Sequence, residues 1–131
     1  MFFFKIRQIP ILLLILFIFF SCSAQKPLLI TKDKNNGLVS VCKNGLFTIA
    51  LECNPSTGYS WNIVSIDSSR VTLFADPSFV ARDSLPGTSG TCFLEFKALK
   101  KGKTPIRLAY FQEFDNECAP QDSFFVTVIV K

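Results

Sequence analysis

The fold class is decided by two stretches that alternate apolar and polar residues, LFTIALEC at residues 46–53 and SFFVTVIV at residues 123–130. A period of two is typical of a strand with one buried face. In the first stretch the predicted inward residues are Phe47, Ile49, Leu51 and Cys53, and the outward ones are Thr48, Ala50 and Glu52. In the second stretch the predicted inward residues are Phe124, Val126, Val128 and Val130. Similar stretches, bounded by Gly, Pro, Asn and Ser, predict seven strands, near residues 38–42, 46–53, 60–65, 71–74, 92–98, 104–111 and 123–130. The sequence therefore predicts an all-β protein, an antiparallel β-sandwich.

The first 24 residues have the pattern of a secretory signal peptide. Lys5 and Arg7 form a basic start, residues 11–20 are an unbroken apolar run, and residues 22–24 are small. The apolar run is well short of the roughly 20 residues that span a bilayer. We therefore expect cleavage after residue 24 and secretion, with no membrane span. The alternative is a lipoprotein signal, in which a lipid is attached to Cys22.

The remaining chain, residues 25–131, is long enough for one domain. The protein contains no histidine, which removes Ser/His/Asp and Cys/His nucleophile activation and His-ligated zinc. Its carboxylates suggest no catalytic pair, since Asp115 and Glu117 share one loop and the others are scattered. We therefore predict that the protein is not an enzyme and needs no cofactor.

The charge balance of the predicted domain is nearly even. Without Lys5 and Arg7, the 14 basic residues of the chain become 12, against 10 acidic residues. A nucleic-acid-binding domain of this size carries a much larger basic excess. The sequence therefore predicts no nucleic-acid partner.

Four cysteines follow the leader: Cys42, Cys53, Cys92 and Cys118. An even number of cysteines in a secreted protein predicts disulfides. Zinc is disfavoured because the cysteines are 11, 39 and 26 residues apart, with no Cys-x-x-Cys pair. Their spacing does not choose among the three possible pairings.

Three connections between the predicted strands have the composition of binding loops. Residues 54–61 (NPSTGYSW) form a turn that Pro55 makes rigid and in which Gly58 permits a positive φ; a capped turn that leads into a core tryptophan has the same pattern. Residues 86–91 (PGTSGT) are uncharged and flexible, as a plain linker would be. The third connection carries Phe114 among acidic and amide side chains, where it either contacts a partner or folds back onto the sandwich. Alternate loops of a sandwich cluster at one end.

Together, and in this order, these connections resemble the loops of the chagasin family of secreted inhibitors of papain-like cysteine peptidases. The match is strongest at residues 54–61, where the family shows Asn-Pro-Thr/Ser-Thr-Gly-Tyr/Phe followed shortly by Trp. It continues through residues 87–91 and through FLEFKALKKG at residues 93–102. The sequence departs from the family pattern in two places. Ser89 replaces a glycine of a Gly-x-Gly-Gly motif, and residues 112–114 (QEF) replace Arg-Pro-Trp/Phe.

The resemblance implies an immunoglobulin-like β-sandwich that inserts its three loops into a peptidase cleft, with Thr57 nearest the catalytic cysteine and Phe114 as an aromatic anchor. We expect a monomer. The alternative function is an immunoglobulin-like extracellular adhesion or cell-surface module that uses the same loops on another protein. The predicted peptidase-binding residues are Asn54, Pro55, Ser56, Thr57, Gly58, Tyr59, Gly87, Thr88, Ser89, Gly90, Gln112 and Phe114.

The same resemblance favours one pairing of the cysteines. In such a sandwich the second and fifth predicted strands are neighbours. The alternation places Cys53 and Cys92 on the inward side of those two strands. We therefore predict a Cys53–Cys92 disulfide, which leaves Cys42 with Cys118 as the second pair.

Overall fold

Nine strands build the part of the chain that the computed structural model describes, residues 27–114 and 119–131. Predictions for the leader, Cys22, Asp115, Glu117 and Cys118 fall outside these residues. Two short 3-10 helices accompany the strands, at Lys32–Lys34 and Pro55–Thr57. The strands are β1 (Leu28–Ile30), β2 (Gly37–Val41), β3 (Leu46–Cys53), β4 (Tyr59–Ser65), β5 (Val71–Leu73), β6 (Ser78–Ala81), β7 (Gly90–Ala98), β8 (Gly102–Gln112) and β9 (Asp122–Val130).

The strands form two sheets. The first has the order β1-β3-β7-β5, and β6 also pairs with β7. The second has the order β2-β9-β8-β4. Both sheets are mixed, because β1 runs parallel to β3 and β2 runs parallel to β9, whereas the other pairs are antiparallel. The predicted all-β sandwich is confirmed, and all seven predicted strands are present with ends that differ by at most two residues from the prediction.

Two features of the sandwich differ from the sequence prediction. There are nine strands rather than seven. The sequence prediction missed β1 and β6, because β1 has only three residues and all four residues of β6 are exposed, so neither shows an alternation of apolar and polar residues. The sheets are not purely antiparallel. Alternation reports which face of a strand is buried and carries no information about the direction of its neighbour.

The core lies between the sheets and is built from the inward rows that the alternation predicts. Phe47 of β3 and Phe96 of β7 are fully buried, with ring centroids 5.3 Å apart. In β9 the predicted inward residues from Phe124 to Val130 are buried as well. Ala50, predicted to face outward, is also buried, since Phe93 lies opposite it on the neighbouring strand.

The predicted Cys53–Cys92 disulfide is confirmed. It joins the neighbouring strands β3 and β7, with the Cα atoms 6.0 Å apart. Cys42 is also disulfide-bonded. Because Cys118 is not among the described residues, the Cys42–Cys118 pairing stays a prediction.

The strands place the three predicted loops at one end of the sandwich. β3, β6 and β8 end there, and β4, β7 and β9 begin there, as their registers show.

The described residues contain no helix of the length and hydropathy that crossing a membrane requires.

Candidate functional site

The first loop, between β3 and β4, is a rigid single turn of 3-10 helix. The Asn54 side chain caps this turn, because its Oδ1 accepts hydrogen bonds from the Ser56 N–H at 3.2 Å and from the Ser56 hydroxyl at 2.6 Å. The Thr57 hydroxyl donates to the Asn54 carbonyl at 2.6 Å. Gly58 closes the turn with a φ of 81°, a left-handed conformation that favours glycine. These contacts hold the backbone of the loop, whereas the side chains at its tip are exposed.

Asn54 also joins the first loop to the second. Its Nδ2 donates to the Gly87 carbonyl at 3.1 Å. The Ser56 hydroxyl oxygen lies 3.9 Å from the position that a Cβ atom would take on Gly87. The Asn54 N–H donates to the Tyr110 hydroxyl at 2.9 Å, which ties the same residue to β8 of the opposite sheet. One residue thus fixes two loops and both sheets against each other.

The third loop contacts the first through two side chains. Gln112 Nε2 donates to the Thr57 carbonyl at 3.0 Å. Phe114 is 84% exposed, and its Cε2 lies 3.3 Å from the position of a Cβ on Gly58. Any side chain at position 58 would press against the Phe114 ring. The aromatic ring therefore stands beside the turn, in solvent, and does not fold back into the core.

Three aromatic residues pack together at the ends of β4 and β8, next to the loops. The Tyr110 ring lies between those of Tyr59 and Trp61, with centroids 5.4 Å and 5.1 Å away. The buried Trp61 donates its indole N–H to the Glu52 carbonyl at 3.0 Å. The tryptophan thus belongs to the core, as the capped-turn interpretation of the motif predicts.

Sequence reasoning missed Tyr110, which holds Asn54 through its hydroxyl. A signal was present, because Tyr110 follows the inward residues Ile106 and Leu108 at a spacing of two in β8. That spacing places its ring toward the core at the strand end that meets the loops. The hydrogen bond itself connects residues 56 positions apart and depends on the packing of the two sheets.

The predicted binding residues separate into an exposed tip and a supporting base. The exposed residues are Pro55, Ser56, Thr57, Gly87 and Phe114, whereas Asn54, Gly58, Tyr59, Thr88, Ser89 and Gln112 are half-buried.

Among the predicted binding residues, only Gly90 is buried. It is the first residue of β7. A Cβ atom on Gly90 would lie 2.1 Å from the Val80 carbonyl oxygen, so the backbone of β6 occupies the space of a side chain. Gly90 thus admits β6 close to β7 at the base of the second loop.

An ion pair lies at the margin of the loops. Lys32 Nζ is 2.8 Å from Asp122 Oδ1 and 5.3 Å from the centroid of the Trp61 ring. Partial burial raises the pKa of the Asp122 carboxyl, but the hydrogen bonds from Lys32 and from the Ser123 N–H outweigh it and hold the pKa below its ordinary value. Asp122 therefore stays ionised and keeps Lys32 beside the aromatic base of the site.

The site has the chemistry of a binding surface. Its exposed tip offers small uncharged side chains and one aromatic ring. Across residues 27–114 and 119–131, no group of three or more His, Cys, Asp or Glu residues is placed to hold a metal ion.

Comparison with known proteins identifies the family. Residues 40–128 match the family described as chagasin family peptidase inhibitor I42. The chain therefore belongs to the chagasin family, which is a family of peptidase inhibitors and not of enzymes. It is 28% identical over 107 residues to Amoebiasin-2 of Entamoeba histolytica, a match that covers 79% of this chain and 85% of the relative.

Solved structures share the fold. The crystal structure of the cysteine protease inhibitor EhICP2 from Entamoeba histolytica superposes with a TM-score of 0.70 at 27% identity, over 79% of this chain and 95% of that one. The solution structure of Amebosin gives a TM-score of 0.67 at 25% identity, over 82% and 100% of the two chains. PbICP-C, solved in complex with falcipain-2, has the same fold, with a TM-score of 0.54 at 18% identity over 82% and 93%. The sandwich is thus the immunoglobulin-like fold that the resemblance implied.

Proposed function

We propose that this protein is a reversible inhibitor of papain-like cysteine peptidases that inserts its three loops into the active-site cleft. Membership of a peptidase-inhibitor family supports inhibition, and the likeness to the cysteine protease inhibitor EhICP2 supports cysteine peptidases as the target class. The observation that carries the proposal is that Asn54 and Gln112 connect the three loops by hydrogen bonds into one surface.

The rigidity of this surface favours tight binding. A loop that is already ordered loses little conformational entropy when it docks. The first loop is held at Asn54, Thr57 and Gly58 before any partner arrives. Thr57 is nearest the catalytic cysteine in this arrangement, and Phe114 is an aromatic anchor on one flank.

The predicted binding residues have two roles in the proposal. The exposed residues Ser56, Thr57, Gly87 and Phe114 contact the peptidase directly. The half-buried residues position them, Asn54 by joining the first two loops and Gln112 by joining the first and third.

We further propose that the protein acts outside the cell as a monomer. The basic start, the short apolar run and the small residues of residues 1–24 are the grounds for secretion with cleavage of the leader. A lipid anchor at Cys22 is the alternative.

The proposal is tested by titrating papain with residues 25–131 produced in an oxidising compartment. We expect stoichiometric loss of papain activity, which returns on dilution with the inhibitor intact by mass spectrometry. Trypsin is the control and should keep its activity. Papain that stays active at micromolar inhibitor would favour the adhesion module, and a covalent adduct would exclude simple loop insertion.

A further inference from the structure

The end of the sandwich opposite the loops concentrates positive charge. Five exposed lysines lie there, on two turns, at the start of β8 and at the last position of the chain, and an arginine from a third turn lies among them. We call this surface the basic pole. It consists of Lys43, Arg70, Lys100, Lys101, Lys103 and Lys131.

Backbone contacts hold these residues on one surface. The Lys43 N–H donates to the Lys131 carbonyl at 3.0 Å. The Lys100 N–H donates to the Arg70 carbonyl at 3.3 Å, and the Arg70 guanidinium donates to the Lys101 carbonyl at 2.6 Å. Lys103 pairs with Ile129, one residue before the end of β9. The charges are therefore adjacent in the fold although they span residues 43–131.

The charge of the basic pole is nearly uncompensated. The pole holds six of the chain's 14 basic residues, whereas the turns that carry them hold one of its 10 acidic residues, Asp67. Asp67 Oδ2 lies 3.3 Å from Arg70 Nε. Within residues 27–114 and 119–131 the lysines of the pole form no ion pair. Five ammonium groups thus face solvent together.

Exposed apolar residues border the same pole. Leu46 begins β3 immediately after the turn that carries Lys43, and Leu28 of β1 lies opposite Phe47, the next residue of β3. Both leucines are more than one-third exposed. β1 begins at this end of the sandwich.

We propose that the basic pole binds the surface of membranes that contain anionic phospholipids. Clustered lysines are attracted to the negative potential of such a surface, and adjacent leucines can enter the boundary between headgroups and acyl chains. Apolar side chains beside the cations favour a lipid surface over a sulfated glycan or a nucleic acid, which offer charge without an apolar interior.

This orientation leaves the inhibitory loops free. β3 spans the distance between the basic pole and Asn54 with eight residues, which corresponds to roughly 24 Å. A protein bound to a membrane through the pole therefore presents Thr57 and Phe114 to the solution.

The test is co-flotation of residues 25–131 with phosphatidylcholine vesicles that contain or lack phosphatidylglycerol. We expect binding to the anionic vesicles alone, weakened by salt. The variant Lys101→Glu/Lys103→Glu should lose at least about tenfold in vesicle affinity. The control variant Lys34→Glu/Arg107→Glu changes the net charge equally on exposed residues elsewhere and should bind like the wild type. Thermal unfolding confirms that both variants are folded.

Several results would overturn the proposal. These are failure to bind the anionic vesicles, equal losses in the two variants, or retention on heparin without binding to vesicles. Flotation does not depend on peptidase inhibition, so its outcome is independent of the proposed inhibitory function. Papain inhibition by the vesicle-bound protein is the second readout and should equal that of the free protein.

Discussion

At the scale of single residues, the loops depend on a few polar groups with several partners each. The Asn54 carboxamide caps one loop and holds the carbonyl of another, while its backbone N–H binds Tyr110. Gln112 contacts the turn of the first loop through the Thr57 carbonyl. Phe114 is different, since its exposed ring contributes little to the folded protein alone.

This exposure predicts that Phe114→Ala separates binding from stability. A buried aromatic anchor at an interface contributes about 2 kcal/mol, so the variant should inhibit papain roughly thirtyfold more weakly, with an unchanged melting temperature. Phe74→Ala, which truncates another exposed phenylalanine after β5, is the control and should change neither quantity. A lower melting temperature with full inhibition would mean that the ring serves the fold.

Thr57→Arg should weaken inhibition more than Phe114→Ala does. A long charged side chain at the exposed tip has room in the free protein but none in a filled cleft. The residues before Phe114 support binding less than those of the usual family loop, because Gln112 and Glu113 supply neither a cation nor a proline. Inhibition constants measured for both folded variants decide the order. Full inhibition by Thr57→Arg would argue against insertion of the first loop.

The hydroxyl of Thr104 is a polar group in the apolar core. Its side chain is 1% exposed, and within the described residues its hydroxyl has no hydrogen-bond partner. An unsatisfied buried hydroxyl costs about 1 kcal/mol or more, so Thr104→Val should raise the melting temperature by about 4–8 °C. Thr127→Val, at a half-buried position of β9, is the control and should have a smaller effect. A decrease on Thr104→Val would indicate that the hydroxyl is satisfied.

At the scale of elements, the base of the first two loops is held by β3, β6 and β7. Cys53 ends β3 directly before Asn54, and its disulfide to Cys92 ties it to the start of β7. β6 covers Gly90, and Arg82, which follows β6, forms an ion pair with Glu52 at 2.8 Å. The second loop is thus supported by a short strand that the sequence does not reveal.

We expect the double variant Cys53→Ala/Cys92→Ala to lose about 2–5 kcal/mol of unfolding free energy, because the bridge limits the freedom of the unfolded chain. Inhibition should also weaken in the folded variant, since Asn54 adjoins the bridge. Denaturant unfolding measures the first effect and papain titration the second. The wild type under mild oxidising conditions is the reference. Unchanged unfolding free energy would show that the strands alone hold the loop bases.

At the scale of the whole molecule, the sandwich separates two surfaces. The loops lie at one end, and the basic pole lies at the other. A single set of loops predicts that one inhibitor binds one peptidase.

Size-exclusion chromatography with light scattering should therefore give a monomer alone and a 1:1 complex with papain. A 2:2 complex or a stable dimer at micromolar concentration would contradict this prediction.

The amino-acid sequence by itself determined the faces of the long strands and the position of the loops, and together with the family resemblance it predicted one disulfide. Alternation in residues 46–53 and 123–130 specifies which side chains are buried, because burial of one face of a strand requires a period of two. The motif at residues 54–61 specifies a capped turn through local chemistry, since Asn, Pro and Gly act on the backbone within a few residues.

Only the tertiary structure decided which of these pieces meet. The bonds from Asn54 to Gly87 and Tyr110 join residues more than 30 positions apart. The parallel pairings of β1 with β3 and of β2 with β9 leave no mark in the side chains of β1 and β2. The basic pole arises in the same way, from residues 43–131 that are separated along the chain. Such contacts depend on how two sheets pack face to face, which is a property of all their residues together and not of any local pattern.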